Sequence, residues 1–419
     1  MPVATDLWRA YLVQARWFQG KGLQVRDIAI EPLPWYAFDG DVMVRSELAR
    51  VQVGDSSETY HLLAGYLLPG QAEPDALVGQ TELDGHGLRD VVDAPRSPRA
   101  MAALLAAVTK PGARGVTWFE APPAPDSPTK IFAGEQSNTT VRIGDDVLFK
   151  VFRRLNPGPN LEASMMAALK ESQITPRLIG TLSACDGSCD LGLFTQRIKN
   201  TVDGWAHCVE AYHDARPVNE EMNALGATLR RLHSQLAGVF GTSFVDGGTI
   251  AAQMLSRLDT ACEQVAKLDR LKAPLSRILD LGDAPIEVQR VHGDFHLGQT
   301  LLSPNGWTII DFEGEPLKSP TERAAPDAVW RDVAGLLRSL DYARHRQPLL
   351  DEEAGRRWYL EARRAFLDGY LVDAPLPHAT LTAYEVDKAI YELVYETRNR
   401  PAWASIPRAA IQDALRTPR

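Results

Sequence analysis

The chain has 419 residues, 45% hydrophobic and 24% charged, and a formal net charge of −9. Those values fit a soluble globular protein of two or three domains. They argue against nucleic acid or an anionic membrane as the main partner. Asp6, Trp8 and Arg9 stand where a secretory signal needs an apolar core. The longest apolar run, Ala100 to Val108, is far shorter than the roughly 18 residues of a membrane span. Cys185, Cys189, Cys208 and Cys262 lack a second Cys/His pair at zinc spacing. A reduced, cytoplasmic protein with ordinary thiols is expected.

Residues 1–92 read as a separate mixed unit. A short helix, Trp8 to Arg16, stops at Gly20 and Gly22. Strand-like runs follow at Val42 to Val44 and Tyr60 to Leu63. Residues 93–200 form the next segment, beginning with a helix over Ala100 to Val108. Ala121 to Pro128 holds four prolines and is a stiff connector. The small polar stretch Gly134 to Thr140 lies between strand-like runs and suits a phosphate-binding turn, with Ser137, Asn138 and Thr139 as candidate ligands. No GxxxxGK[ST] string is present, which excludes P-loop NTPases. Lys150 interrupts the apolar strand Val147 to Phe152. A cation there needs a partner or a ligand. After a phosphate loop, it matches the lysine that holds nucleotide phosphates in kinases. Glu162, on a helix from Leu161 to Lys170, is its candidate partner. The strand Leu191 to Ile198 is placed as the hinge, with Gln196 and Ile198 near the adenine.

Residues 201–419 are mainly helical. Leu225, Leu229, Leu232 and Leu236 form a core stripe, and Ile250 to Leu271 reads as a second helix. His233 is expected in the core, and Asp332 as a brace for the catalytic loop. That loop opens with His292-Gly293-Asp294 and leads into a hairpin. With Pro304 to Gly306 as the turn, Ser303 pairs with Trp307, and Gln299 falls opposite Asp311. A two-residue turn shifts this by one position. Directly opposed residues have Cβ atoms about 5 Å apart. An amide oxygen and a carboxylate at one spot suit Mg²⁺, and Asp294 suits the base that takes a hydroxyl proton in phosphoryl transfer. Near the C-terminus, Tyr384, Lys388, Tyr391 and Tyr395 share one helical face, with Glu385, Glu392 and Glu396 on the adjacent one. Rings interleaved with charges suit a sugar wall.

These strings resemble known kinases. The Asp294, Gln299 and Asp311 segment is similar to the aminoglycoside-phosphotransferase-like kinases, with Gln299 where Asn is usual and Asp-Phe-Glu-Gly-Glu-Pro in place of Asp-Phe-Gly. Both departures, the Glu135 to Thr139 string, Lys150 to Arg154, and the stretch from Ala383 to Pro407 resemble the maltokinases. The resemblance implies an α+β, bilobal, protein-kinase-like fold with an added N-terminal cap subdomain and a mainly helical C-lobe. It implies ATP-dependent, Mg²⁺-dependent phosphorylation of maltose at its anomeric hydroxyl, giving maltose 1-phosphate for α-glucan synthesis, and trehalose synthase as a partner. Asp294 is then the catalytic base and Gln299 and Asp311 the metal ligands. Lys388, Tyr391, Tyr395, Glu396 and Glu313 fall in the sugar site, with Glu313 alternatively a further metal ligand. Rival readings are a kinase of glucosamine or an aminoglycoside, a non-catalytic nucleotide sensor, and a scaffold for trehalose synthase.

Overall fold

A computed structural model describes residues 5–21, 25–54, 56–132, 137–315, 318–346 and 351–416. The chain divides into two compact units. One comprises residues 1–171 and 176–199, and the other residues 172–175 and 200–419.

The first unit holds two antiparallel sheets. Helix α1 (Thr5–Gln14) precedes β1 (Val25–Asp39), β2 (Val42–Val53), β3 (Ser56–Leu67), β4 (Leu77–Leu83) and β5 (Gly87–Asp93), in the spatial order β1-β2-β3-β5-β4. Trp8, Leu12, Trp17, Phe18, Tyr60 and Leu62 fill the core between α1 and this sheet. Helix α2 (Pro98–Val108) starts with Ser97 accepting from the Ala100 N–H and with proline at its first position, two devices that favour a helix start. The second sheet contains β6 (Val116–Trp118), β7 (Thr129–Ile131), β8 (Thr139–Ile143) and β9 (Val147–Val151). The two-residue β10 (Arg154–Leu155) leaves it to pair with β3. Helix α3 (Leu161–Ala168) then leads to β11 (Leu178–Ser183) and β12 (Asp190–Gln196). The order in space is β6-β11-β12-β9-β8-β7.

Arg153 joins the two sheets. Its side chain is fully buried. Nη2 donates to both oxygens of Asp93 at 2.8 Å, Nε donates to Thr139 Oγ1 at 2.8 Å, and the guanidinium carbon lies 4.7 Å from the Trp17 ring centroid. Such a cation is tolerable only when its partners are complete.

The second unit begins with β13 (Val202–Asp203), α4 (Gly204–His213) and α5 (Asn219–Phe240), then β14 (Thr242–Asp246), α6 (Gly247–Gln264), α7 (Lys272–Leu279) and β15 (Pro285–Gln289). Strands β16 (Thr300–Ser303) and β17 (Gly306–Ile309) form the hairpin. Helices α8 (Pro320–Ala324), α9 (Trp330–Arg346), α10 (Glu352–Leu371), α11 (His378–Asn399) and α12 (Ser405–Arg416) complete it. The α5 leucines at 225, 229, 232 and 236 are all fully buried, as their spacing predicts. The single helix expected over Ile250 to Leu271 is broken. α6 ends at Gln264, Lys267 takes φ 68°, and a short 3-10 turn precedes α7. Helical periodicity persisted in the sequence, but a left-handed lysine interrupts the hydrogen-bond ladder.

Asp93→Asn removes the charge opposite Arg153 while keeping the shape. The expected loss is roughly 3–5 kcal/mol, typical of a buried cation left uncompensated. A thermal melt of the full chain checks it, and an unchanged melting temperature would rule out a stabilising pair.

Candidate active site

In the first unit, Lys150 lies on β9 between β12 and β8, opposite Leu193 and Thr140. Its Nζ is 2.9 Å from Glu162 Oε2, and both side chains are nearly buried. Asn160 caps α3 by accepting from the Glu162 and Ala163 N–H groups at 2.8 and 3.2 Å. The cap fixes the first turn of α3, and the turn aims Glu162 at the strand. The expected Lys–Glu pair is thus assembled within one unit.

The phosphate-loop expectation changes in detail. Residues 133–136, including Gly134, Glu135 and Gln136, lie outside the described residues. Ser137 is exposed. Asn138 and Thr139 are buried, and their oxygens are turned to Arg153: Asn138 Oδ1 accepts from its backbone N–H at 3.0 Å and Thr139 Oγ1 from its Nε. Their side chains therefore brace the root of the loop, where phosphate contacts were expected. Gln196 ends β12; its N–H donates to Arg177 O at 2.9 Å and its Oε1 accepts from Arg177 Nε at 3.2 Å. Ile198 falls beyond the strand, two residues before the second unit resumes at Asn200.

In the second unit, the His292-Gly293-Asp294 loop hangs on Asp332. This residue of α9 is fully buried and accepts from the N–H groups of His292 and Gly293 at 2.8 Å each. His233 Nε2 stands 3.0 Å from the same carboxylate, and Tyr370 OH stands 2.8 Å from His233 Nδ1. Burial would raise the Asp332 carboxyl, but the hydrogen bond and charge of His233 outweigh it and hold it below the usual range. Gly293 takes φ 87°, which a side chain would resist, and turns the chain toward Asp294. His292 Nε2 lies 3.0 Å from Ile310 O, tying the loop to the far end of the hairpin.

The hairpin turn has two residues, not three. Ser303 pairs with Gly306 and Thr300 with Ile309. Ser303 Oγ closes the turn, accepting from the Asn305 N–H and donating to Gly306 O, both at 3.1 Å. Gln299 consequently faces Ile310, whose N–H donates to Gln299 O at 3.0 Å. Asp311 lies one residue beyond the expected register, yet the side chains still meet: Gln299 Nε2 donates to Asp311 Oδ2 at 3.1 Å. The contact is made possible by Asp311 itself, which adopts φ 65°. A non-glycine residue held there marks local strain of the kind found at functional sites. The donor set is hard: a carboxylate and the Oε1 of an amide whose nitrogen is turned to that carboxylate. With the Gln299 amide turned over, so that Oε1 and not Nε2 faces the carboxylate, those oxygens fit Mg²⁺. Glu313 is half-buried two residues on, and its carbonyl is 3.5 Å from Arg323 Nη1.

Lys388 of α11 points at Asp294. Its Nζ is 3.3 Å from Asp294 Oδ1 and 2.6 Å from Glu315 Oε1. Burial alone would lower this lysine, but Glu315 and then Asp294 outweigh it and hold the ammonium well above the usual range. Tyr391 is half-buried, with Lys388 Nζ 4.8 Å from its ring centroid. Tyr395 is 37% exposed. Glu396 is not part of this group. It is 2% exposed, and both oxygens are taken by Arg400 at 2.7 and 2.9 Å. Tyr384 is core, donating to Asp327 at 2.9 Å. Glu315 was missed by sequence reasoning. Its only signal was a second acid two residues after Glu313 in Asp-Phe-Glu-Gly-Glu-Pro.

Glu315 carries a pH signature. Burial would raise its carboxyl, but Lys388, Lys318 and Arg331 outweigh that and bring it from 4.5 to about 2. A depressed carboxyl contributes stability in full above the unfolded value and loses it as pH falls from 4.5 toward 2. Glu315→Gln should therefore melt below wild type at neutral pH, and the gap should narrow through that window. A gap independent of pH would mean that packing, not charge, is lost.

Residues 128–376 match the phosphotransferase enzyme family, and residues 11–96 match the maltokinase N-terminal cap domain. A glucosamine kinase of Streptacidiphilus jiangxiensis is 29% identical over 316 residues, 67% of this chain and 72% of that protein. Another, from Mycolicibacterium smegmatis, is 24% identical over 390 residues, 82% of this chain and 94% of that one. The solved structure of a glucosamine kinase in complex with glucosamine, ADP and inorganic phosphate has the same fold, with a TM-score of 0.70, 22% identity and 99% coverage of each chain. The family match spans more than half of the sequence, and the chain belongs to the phosphotransferase enzyme family, with a maltokinase-type cap at its N-terminus.

Proposed function

We propose that the protein phosphorylates the anomeric hydroxyl of maltose with ATP, giving maltose 1-phosphate for α-glucan synthesis, in the cytoplasm and with trehalose synthase as a partner. The observation that carries a neutral acceptor is the charge pairing of α11. Its four acids are all engaged by arginine: Glu385 by Arg363, Asp387 by Arg257, Glu392 by Arg338 and Glu396 by Arg400. The charge this helix directs at Asp294 is instead the Lys388 ammonium. A cationic amino sugar would need an unengaged carboxylate. A neutral sugar needs hydroxyl partners and a ring surface, which Lys388 and Tyr391 offer.

In this reading Asp294 orients the acceptor hydroxyl and takes its proton. Asp332 fixes the loop that presents Asp294. Lys388 donates to an acceptor oxygen, and Tyr391 covers a sugar face. Lys150, held by Glu162, binds nucleotide phosphates, and Asp311 with the amide oxygen of Gln299 would hold Mg²⁺. Bound magnesium–ATP supplies the phosphoryl group and neutralises its oxygens.

A second reading, with glucosamine as acceptor, is favoured by the activity of the two curated relatives. An ADP-release assay across maltose, glucose, trehalose, glucosamine and an aminoglycoside separates the two. Turnover with maltose well above the rest is expected, and preference for glucosamine would overturn the neutral-acceptor argument. Lys388→Met should raise KM for maltose at least about tenfold, the worth of one charged hydrogen bond, with KM for ATP nearly unchanged. Asp294→Asn should fold normally and lower kcat by roughly 10²-fold or more. Near wild-type turnover would remove Asp294 from the role of base.

A further inference from the structure

The acceptor-site reading leaves a difficulty in the geometry. Lys388 lies within 3.3 Å of Asp294, the residue assigned to receive a proton. An ammonium bound closely to that carboxylate would occupy the oxygen the hydroxyl must reach, and would weaken it as a base. Some other group has to hold Lys388 back.

We propose that Glu315 is a positioning residue of the acceptor site, which holds the Lys388 ammonium so that it serves the acceptor and does not close on Asp294. The proposal rests on the reading of Asp294 as the base. The distances are asymmetric: Lys388 Nζ is 2.6 Å from Glu315 and 3.3 Å from Asp294. Glu315 is thus the principal partner. It is also the more fixed of the two carboxylates, with a side chain 5% exposed against 20% for Asp294. Its second oxygen lies 3.4 Å from Lys318 Nζ, so the carboxylate is gripped from both sides. Gly314, at φ 72°, turns the chain immediately before it. A Cβ added there would lie 3.3 Å from the Arg323 side chain, and the left-handed backbone would resist it regardless.

The ammonium has three N–H groups. With one directed to Glu315 and one toward Asp294, one is left for an acceptor oxygen. Removing the Glu315 charge releases the lysine to its remaining partner. The effect of Glu315 on catalysis should therefore exist only while Lys388 is present.

The test is a double-mutant cycle in the full chain, with Glu315→Gln, Lys388→Met and both together. It uses whichever acceptor the wild type turns over fastest, so an incorrect acceptor assignment shows in the wild-type rates and not in the cycle. In the wild-type background, Glu315→Gln should lower kcat about tenfold and raise KM for the acceptor, with KM for ATP unchanged. In the Lys388→Met background, the same substitution should change kcat by less than about twofold, the signature of coupled rather than independent sites. An equal loss in both backgrounds, or no loss in either, overturns the proposal. If Glu315→Gln does not fold, Glu315→Asp keeps the charge and retracts the oxygens by one methylene. It should give a smaller kcat loss that again disappears without Lys388, and a loss that persists would overturn the assignment. Failure of the Asp294 reading shows separately, as normal turnover by Asp294→Asn.

Discussion

The buried carboxylate of Asp332 is the fixed point of the second unit. It receives the consecutive backbone N–H groups of His292 and Gly293 and the imidazole of His233. A loop has few backbone hydrogen bonds of its own and drifts unless something rigid accepts them. Here the acceptor stands on a helix whose inner face is packed into the core, and His233 and Tyr370 fix its orientation from the other side. Everything placed by the loop inherits that rigidity. Asp294 follows within two residues, and His292 ties the loop to Ile310, so the loop and the Gln299–Asp311 pair are referenced to one carboxylate.

Much of this was legible in the sequence because the informative residues break local rules. A lysine in an apolar strand required a partner, and Glu162 stands 2.9 Å away. Two polar residues at hairpin spacing met even though the turn was one residue shorter than assumed, because Asp311 departs from the strand conformation. At other positions a local pattern had two physical explanations. Asn138 and Thr139 are small and polar, as phosphate ligands are, yet their side chains serve the backbone and guanidinium of Arg153. That need is set by a partner fourteen and fifteen residues away and has no local signature. Glu396 looks like its neighbours on α11 until Arg400, one turn later, takes both of its oxygens.

Charge is distributed with economy around α11. Arginines engage every acid of α11, while its lysine is directed at Asp294. The division follows the chemistry of the two cations. Guanidinium forms bidentate pairs that lock a carboxylate in place, whereas an ammonium is a compact charge with donors to spare. A helix built this way presents an adaptable ammonium, that of Lys388, against a background of fixed, neutralised pairs.

The Arg153 junction bears on how the N-terminal region can be handled. A separately named cap suggests a module that can be cut away or exchanged. The guanidinium draws Asp93, Trp17 and the carbonyl of His61 from that region, and β10 completes a sheet whose other strands all precede residue 94. A chain shortened to begin after β5 would bring a charged group, stripped of its counter-charge and its aromatic cover, to a newly exposed apolar surface. It would also strand β10 as an unpaired edge, a ready template for association. The contacts of Arg153 and β10 thus cross the end of the cap near residue 96, and domain exchange between relatives has to carry both sides of this junction together.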